Sequence, residues 1–164
     1  MSDELLFLLT LIAALGAGLV AGIFFAFSTS VMRALDRLSP AQGIAAMQSI
    51  NVVIINPWFM TAFFGTAVAC VVLVVLSLLD WQRLGAGYLL VGSVLYLFGT
   101  ILVTIVFNVP RNNALAAIEP ASADGARLWA SYLKSWTAWN HVRTVAALAA
   151  AALLTIALCF EGAE

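Results

Sequence analysis

The sequence predicts an all-α integral membrane protein, a bundle of four transmembrane helices with two amphipathic connector helices on one side. Of its 164 residues, 64% are hydrophobic and only 9% are charged, and the mean hydropathy is +1.08. A soluble domain is closer to half apolar and a quarter charged, so this composition indicates a membrane protein. Four apolar segments are long enough to cross a hydrocarbon core about 30 Å thick as helices. Within a single domain, residues 1–164, we expect spans at about residues 5–32, 58–79, 85–107 and 141–160.

The first span begins directly after two acidic residues, Asp3 and Glu4. A cleaved signal peptide starts with basic residues and has a shorter apolar stretch, so we expect this span to be retained. Gly18 and Gly22 form a G-x-x-x-G pattern, which allows another helix backbone to approach closely. The pattern fits either packing within the chain or a homo-oligomer.

The first connector contains a helix predicted at about residues 40–55. Ser39 and Pro40 supply an N-cap and a proline in the first turn. Apolar residues then recur at helical spacing, namely Ile44, Met47, Ile50 and Ile54. This periodicity predicts an amphipathic helix at the membrane interface or at the mouth of the bundle. The second span starts after Asn56, which is followed by proline.

The second and third spans are joined by residues 80–84, which are too few for anything but a tight antiparallel turn. Gly92 and Gly99 lie on one face of the third span, which predicts close packing against a neighbouring helix. Pro110 predicts that this helix ends near Phe107, because proline lacks a backbone N–H and clashes with the preceding turn.

The second connector contains an aromatic helix, predicted at about residues 123–140, that runs directly into the fourth span. Its most informative residues follow one another at spacings of three and four, namely Trp129, Tyr132, Trp136, Trp139 and Arg143. This spacing places them on one face of a continuous helix. Asn140 and His141 lie in the same stretch, just where the chain enters the membrane.

Positive charge is concentrated on one side of the predicted bundle. Four spans put both termini and the short turn on one side, which carries Arg83 alone. The other six Lys and Arg residues lie on the connector side, namely Arg33, Arg37, Arg111, Arg127, Lys134 and Arg143. Because cytoplasmic loops carry the excess of basic residues, we expect cytoplasmic connectors and outside termini, in a bacterial inner membrane.

Polar residues from three junctions between connectors and spans therefore gather at the cytoplasmic mouth. The candidate site residues are His141, Arg143, Asn140, Asn108, Trp136, Trp139, Tyr132, Asn56, Asn112 and Tyr96. Amide and guanidinium donors beside an apolar cavity suit an oxyanion, a phenolate or the carbonyl of a flat hydrophobic ligand. Histidine is the side chain most often used as a general base, so His141 is the obvious candidate for that role. Asparagine next to proline is also an ordinary helix cap, and tryptophans also form interfacial belts.

No metal site and no cofactor are predicted. The chain has one histidine, and Cys70 and Cys159 lie inside apolar runs without a C-x-x-C partner. Axial ligation of a haem by His141 is the alternative. The sequence contains no nucleic-acid-binding patch and no phosphate-binding glycine loop.

Five segments resemble the anthrone oxygenase-like family of small membrane proteins. They are GIFFAFS at 22–28, MQSIN at 47–51, NPWFM at 56–60, FNVPRN at 107–112 and WTAWNHVRT at 136–144. The resemblance implies oxidation of an anthrone to an anthraquinone by O₂ without a flavin or haem. In that reaction His141 would act as the base, and Asn108, Asn140 and Arg143 would hold the enolate oxygen. Trp136 and Trp139 would stack on the aromatic rings.

A non-enzymatic role is the competing hypothesis. The same aromatic mouth suits a bundle that binds a quinone, a membrane lipid, a haem or another flat apolar ligand, or a subunit of a larger membrane complex. The enzyme hypothesis alone expects a pH–rate profile with a limb set by a histidine-like group.

Overall fold

The computed structural model describes residues 2–161, and within that range it contains helices and no strand. The helices are α1 (Asp3–Asp36), α2 (Pro40–Val53), α3 (Pro57–Leu79), α4 (Ala86–Ala116) and α5 (Ala123–Glu161). Four of them, α1, α3, α4 and α5, are long and apolar enough to cross a membrane. The predicted all-α bundle with four membrane-spanning helices is therefore confirmed.

Helix α5 is one uninterrupted helix of 39 residues, so the aromatic connector helix and the fourth span are a single element. At a rise of about 1.5 Å per residue it is about 58 Å long, much longer than a hydrocarbon core. Its apolar half packs on α1 and α4, and these helices share the main core with α3, around Val20, Leu73 and Leu154. Its aromatic half packs on the end of α1 and on α2 in a second core, around Ile44 and Trp129.

Three segments of the bundle are π-helical, and all three lie in α1 and α4. They are Phe27–Val31, Leu95–Leu102 and Thr104–Asn108. A π-helical turn contains an extra residue, which changes the direction of the helix and the face on which the following side chains lie.

The prediction that the third span ends near Phe107 is wrong. Helix α4 continues through Pro110 to Ala116, because the π-helical segment ends at Asn108 and Pro110 falls in the first turn of the next α-helical segment. In a first turn the missing N–H of proline removes no required hydrogen bond. The Arg111 side chain also donates to the Phe107 carbonyl oxygen at 2.5 Å, which satisfies an acceptor beside the proline.

The two ends of the bundle are stabilised by different polar contacts. At one end, Arg83 in the short turn donates to Asp3 at 2.6 Å and to Asp80 at 3.3 Å. At the other end, Ser39 is the N-cap of α2, and its backbone N–H donates to Gln42 Oε1 at 3.3 Å, as in a capping box.

Close packing of α4 on α5 depends on the two glycines of the third span. A β-carbon at Gly92 would lie 3.2 Å from the Leu153 β-carbon, and one at Gly99 would overlap the β-carbon of Ala146. The glycine face therefore packs within the chain, as expected of small residues between membrane helices. In the G-x-x-x-G pair of α1, by contrast, a β-carbon at Gly22 would meet nothing within 4 Å.

We expect Gly99→Ala to lower the midpoint of thermal unfolding in detergent, because the added methyl group forces α4 away from Ala146. Gly87→Ala is the matched control, since Gly87 is exposed on the same helix and a β-carbon there meets nothing within 4 Å. The control should be neutral or stabilising by up to about 1 kcal/mol, because alanine has the higher helix propensity. Equal midpoints for the two variants would contradict this account of the packing.

Candidate functional site

A cavity of about 260 Å³ lies at the connector end of the bundle. This volume is close to the lower end of the range of about 300–1,000 Å³ that is typical of small-molecule sites. All five helices contribute to its wall, which consists of Ile23, Phe24, Phe27, Met47, Ile50, Asn51, Ile54, Ile55, Phe59, Met60, Phe63, Phe64, Thr104, Ile105, Val109, Asn112, Trp136 and Arg143. The wall is therefore mainly aromatic and aliphatic, with three neutral polar residues and a single charge, that of Arg143.

Arg143 is the central polar group of this cavity, and its residue is only 5% exposed. One terminal nitrogen donates to Thr104 Oγ1 at 3.1 Å and the other to Asn140 Oδ1 at 2.7 Å. The guanidinium group lies over the Phe24 ring, 4.0 Å from its centre, and 5.2 Å from the ring of Trp136. Cation–π contacts of this kind stabilise a desolvated cation only partly.

No acidic side chain of the described residues forms an ion pair with Arg143. Its Nε–H also lacks a hydrogen-bond partner there. A buried cation is costly unless it is paired, and ionisable groups inside membrane helices usually mark a functional site. The arrangement therefore leaves a positive charge, without an acidic partner among the described residues, at the wall of an apolar cavity.

Asn140 holds Arg143 in place and ties α5 to α1. Its amide nitrogen donates to the Phe24 carbonyl oxygen and to Ser28 Oγ, each at 2.7 Å. Ser28 also lies 3.2 Å from the Thr144 hydroxyl oxygen, one turn further along α5. Asn140 is fully buried behind Arg143 and does not line the cavity, so it positions the guanidinium.

Asn112 organises the aromatic side of the cavity. Its Oδ1 accepts hydrogen bonds from Tyr132 Oη at 2.9 Å and from Trp136 Nε1 at 2.8 Å. Asn112 and Trp136 line the cavity, whereas Tyr132 is buried behind them and stacks between Trp129 and Trp136. This pair of bonds fixes the plane of the Trp136 indole at the cavity wall.

Asn108 links the π-helical end of α4 to α5. It is buried, and its amide nitrogen donates to the Trp136 carbonyl oxygen at 3.2 Å. It does not line the cavity, so the prediction that it donates to a ligand oxygen gains no geometric support. Its Oδ1 has no partner among residues 2–161.

The structure does not bring His141 together with Asn140 and Arg143. Its side chain is exposed, and it does not line the cavity. The reason is helical geometry, because His141 is one residue beyond the buried Asn140 and so lies roughly 100° around the helix. Trp139 is also outside the cavity and stacks on Phe107, with the ring centres 3.5 Å apart.

Two further expected ligand contacts lie elsewhere. Asn56 caps α3, because its Oδ1 accepts from the Phe59 backbone N–H at 3.0 Å, and it does not line the cavity. Tyr96 is buried within the bundle, where its hydroxyl donates to the Phe63 carbonyl oxygen at 3.0 Å. Both are structural hydrogen bonds of the kind that asparagine caps and buried tyrosines usually make.

Asn51 and Thr104 line the cavity, together with the phenylalanines of α1 and α3, although none of them was predicted as a site residue. Asn51 could have been found, because it follows Met47 by four residues on the apolar face of α2. The phenylalanines carry no such signal, since aromatic residues in a membrane span face lipid as often as a cavity.

Among residues 2–161, no three side chains of His, Cys, Asp or Glu come together. Cys70 is buried in the main core and Cys159 is exposed, and neither forms a disulfide. The donor set at the cavity is therefore amide, hydroxyl and guanidinium, which suits an oxygen of an organic ligand.

The fold and the cavity define a small four-span membrane protein with an apolar pocket, whose wall carries one charged side chain, that of Arg143. A family model described as anthrone oxygenase matches residues 59–153, more than half of the chain. The protein belongs to the anthrone oxygenase family. No curated protein and no solved structure is significantly similar to it.

We expect Asn140→Ala to destabilise the bundle by about 1–2 kcal/mol, because it leaves the Phe24 carbonyl and the Arg143 guanidinium without their partner. Asn113→Ala is the control, since Asn113 is exposed and lies near the same end of the bundle. Equilibrium unfolding in mixed detergent micelles measures the difference. If both variants unfold alike, the α1–α5 hydrogen bonds contribute no net stability.

Proposed function

We propose that the protein catalyses the O₂-dependent oxidation of an anthrone, or of a similarly activated flat aromatic compound, in this cavity. The observation that carries the proposal is Arg143, a buried cation without an acidic partner at the wall of an aromatic pocket. Membership of the anthrone oxygenase family supports the same reaction class.

The proposed reaction starts with ionisation of the substrate. The CH₂ group of an anthrone lies between two aryl rings, and loss of a proton gives an enolate whose charge is largely on oxygen. Hydrogen bonds from Arg143 to that oxygen stabilise the enolate and so favour ionisation. Because no cavity-lining side chain is a carboxylate or an imidazole, a water molecule or hydroxide ion takes the proton.

Oxidation then requires no group beyond O₂. The electron-rich enolate gives one electron to O₂, and the resulting radical pair combines at the former CH₂ carbon to form a hydroperoxide. Loss of water from the protonated hydroperoxide leaves a carbonyl group, so anthrone and O₂ become anthraquinone and water. The apolar wall favours this sequence, because O₂ dissolves better in apolar surroundings and the stacked rings are held by Phe24 and Trp136.

The other polar residues orient the Arg143 guanidinium and the Trp136 ring through hydrogen bonds. Thr104 and Asn140 each accept one hydrogen bond from a terminal nitrogen of Arg143, and the remaining N–H bonds of the guanidinium are the donors for the enolate oxygen. Asn112 orients Trp136 as a stacking wall. They are positioning residues in this proposal, and no side chain of the protein changes its covalent state.

A ligand-binding bundle is the second candidate. The observation that favours it is the absence of any carboxylate or imidazole from the cavity wall, since binding of a quinone or another flat apolar molecule needs no base. A visible absorption spectrum and a metal analysis of the purified protein identify a resident haem or metal directly.

The charge distribution supports a proposed orientation. Six of the seven basic residues lie on the side of the connectors, which favours cytoplasmic connectors and outside termini in a bacterial inner membrane. In that orientation the cavity lies at the cytoplasmic half of the bundle.

We expect Arg143→Gln to lower kcat/KM for oxygen uptake with anthrone by on the order of 100-fold or more, because an anion-stabilising donor is lost. Arg143→Lys should retain part of the activity, since it keeps the charge but loses the planar fork. Arg37→Gln is the matched control, because Arg37 is exposed at the same end of the bundle. Unchanged uptake in Arg143→Gln, with the fold intact by thermal unfolding, contradicts the proposal.

His141→Ala should leave oxygen uptake within about twofold of the wild type, as is usual for a surface substitution. Its pH–rate profile should have the same limbs as that of the wild type. Loss of activity, with disappearance of a limb near neutral pH, would instead make His141 the base and require a rearrangement of α5.

A further inference from the structure

We propose that the cavity opens sideways into the hydrocarbon of the membrane, between α3 and the second half of α4. Its ligand is then a lipophilic aromatic molecule that enters from the bilayer, and the end that carries the oxygen enters the cavity first. The proposal rests on the proposed function only for the reaction that the ligand undergoes, since the opening is argued from the helices themselves.

The opening follows from the way that α3 and α4 diverge. Pro57–Leu79 packs against Ala86–Val94 and Leu95–Leu102, but it makes at most marginal contact with α4 from Thr104 onward. The divergence begins at the π-helical segments of α4, which change the direction of the helix. Beyond that point α4 packs instead on α5 and α2. A gap therefore remains between α3 and α4 at the connector end.

The cavity wall changes from buried to exposed along a path through this gap. At the inner end, Phe24, Trp136 and Arg143 are at most 5% exposed. At the outer end, Phe64 on α3 is 49% exposed and Ile105 on α4 is 53% exposed, and both still line the cavity. The exposed rim is apolar, which is the composition expected of an opening into lipid rather than into water.

The protein surface around the opening is also apolar. The corner between α2 and α3 exposes Val52, Val53, Ile55 and Trp58, and Trp58 is 88% exposed. A contiguous apolar surface of this kind is costly in water, and tryptophan is typical of the membrane interface. The corner therefore marks the interface, and the rim residues lie on the side of it that faces the hydrocarbon.

An entry path through the hydrocarbon restricts which ligands can reach the cavity. A molecule that passes through the hydrocarbon between Phe64 and Ile105 must be neutral while it moves, because charged and strongly hydrated groups partition poorly into lipid. Arg143 is the only charged donor in the cavity wall, and it lies at the far end of the cavity. The ligand class is thus a flat aromatic ketone or phenol with one ionisable oxygen function at one end, and glycosylated or sulfated forms are excluded.

Photolabelling in lipid vesicles tests the opening without any turnover. The probe is a small apolar aryl diazirine, iodophenyl trifluoromethyl diazirine, dissolved in phosphatidylcholine vesicles that contain the full-length protein. Irradiation followed by peptide mass spectrometry should find label on the buried Trp136 and Phe24 as well as on the outward faces of α3 and α4. Label confined to outward-facing residues overturns the proposal.

Two substitutions on adjacent exposed positions make the test specific. Ile105→Trp adds bulk at the rim and should lower labelling of Trp136 by roughly tenfold or more, as expected when a hydrophobic site is closed by a bulky group. Val106→Trp is the matched control, because Val106 is equally lipid-facing but does not line the cavity, and it should leave the labelling unchanged. Phe64→Ala should raise labelling. Equal labelling in Ile105→Trp and Val106→Trp would overturn the proposal.

Oxygen uptake with anthrone separates this proposal from the proposed function. If both hold, Ile105→Trp lowers kcat/KM while Val106→Trp does not. Inner labelling that depends on Ile105, in a protein without any oxygen uptake, supports the lateral opening and contradicts the oxygenase. Oxygen uptake without inner labelling supports the oxygenase and contradicts the lateral opening.

Discussion

The burial of one guanidinium group in an apolar bundle is the constraint on which the rest of the connector end depends. Arg143 is inside a membrane helix without an acidic partner among the described residues, so neutral groups have to stabilise it. Thr104 and Asn140 accept its hydrogen bonds, and the Phe24 ring faces its charge. These groups come from α4, α5 and α1, so the cation determines how three helices meet. A ligand oxygen would accept hydrogen bonds from the guanidinium N–H bonds that Thr104 and Asn140 leave unpaired.

The π-helical segments place the polar side chains that contact this guanidinium group and the helix that carries it. Ser28, Thr104 and Asn108 all lie in π-helical turns, and each makes a side-chain contact with α5 or with Arg143 itself. An ideal α-helix would direct these short polar side chains elsewhere, because an extra residue in a turn rotates all later side chains around the helix axis. The same irregular turns let α4 continue through Pro110 and diverge from α3. The π-helical turns thus supply hydrogen-bond partners for the Arg143 guanidinium, and they separate α4 from α3 beside the cavity.

Sequence periodicity predicted the helices well and the site only in part. Of the residues whose spacing predicted one helix face, Trp129, Tyr132, Trp136 and Arg143 are buried. Trp139, which belongs to the same pattern, is only half-buried and stacks on Phe107 outside the cavity. His141 was assigned to the site for its chemistry although its position on the helix directs it outward. The π-helical turns and the continuation through Pro110 depend on tertiary contacts, which no local pattern encodes. Hydrophobicity likewise cannot distinguish a phenylalanine that faces lipid from one that lines a cavity.

The composition of the cavity determines which substrates the proposed oxygenase can use. Anion stabilisation by Arg143 lowers the cost of forming an enolate, but the wall offers no strong base to remove a proton from an unactivated carbon. The protein would therefore act only on compounds that are already close to ionisation, such as a CH₂ group flanked by two aryl rings and a carbonyl group. Such compounds also react slowly with O₂ in solution, so the contribution of the protein is positioning and electrostatic stabilisation. In the proposed reaction, a single buried arginine supplies that contribution.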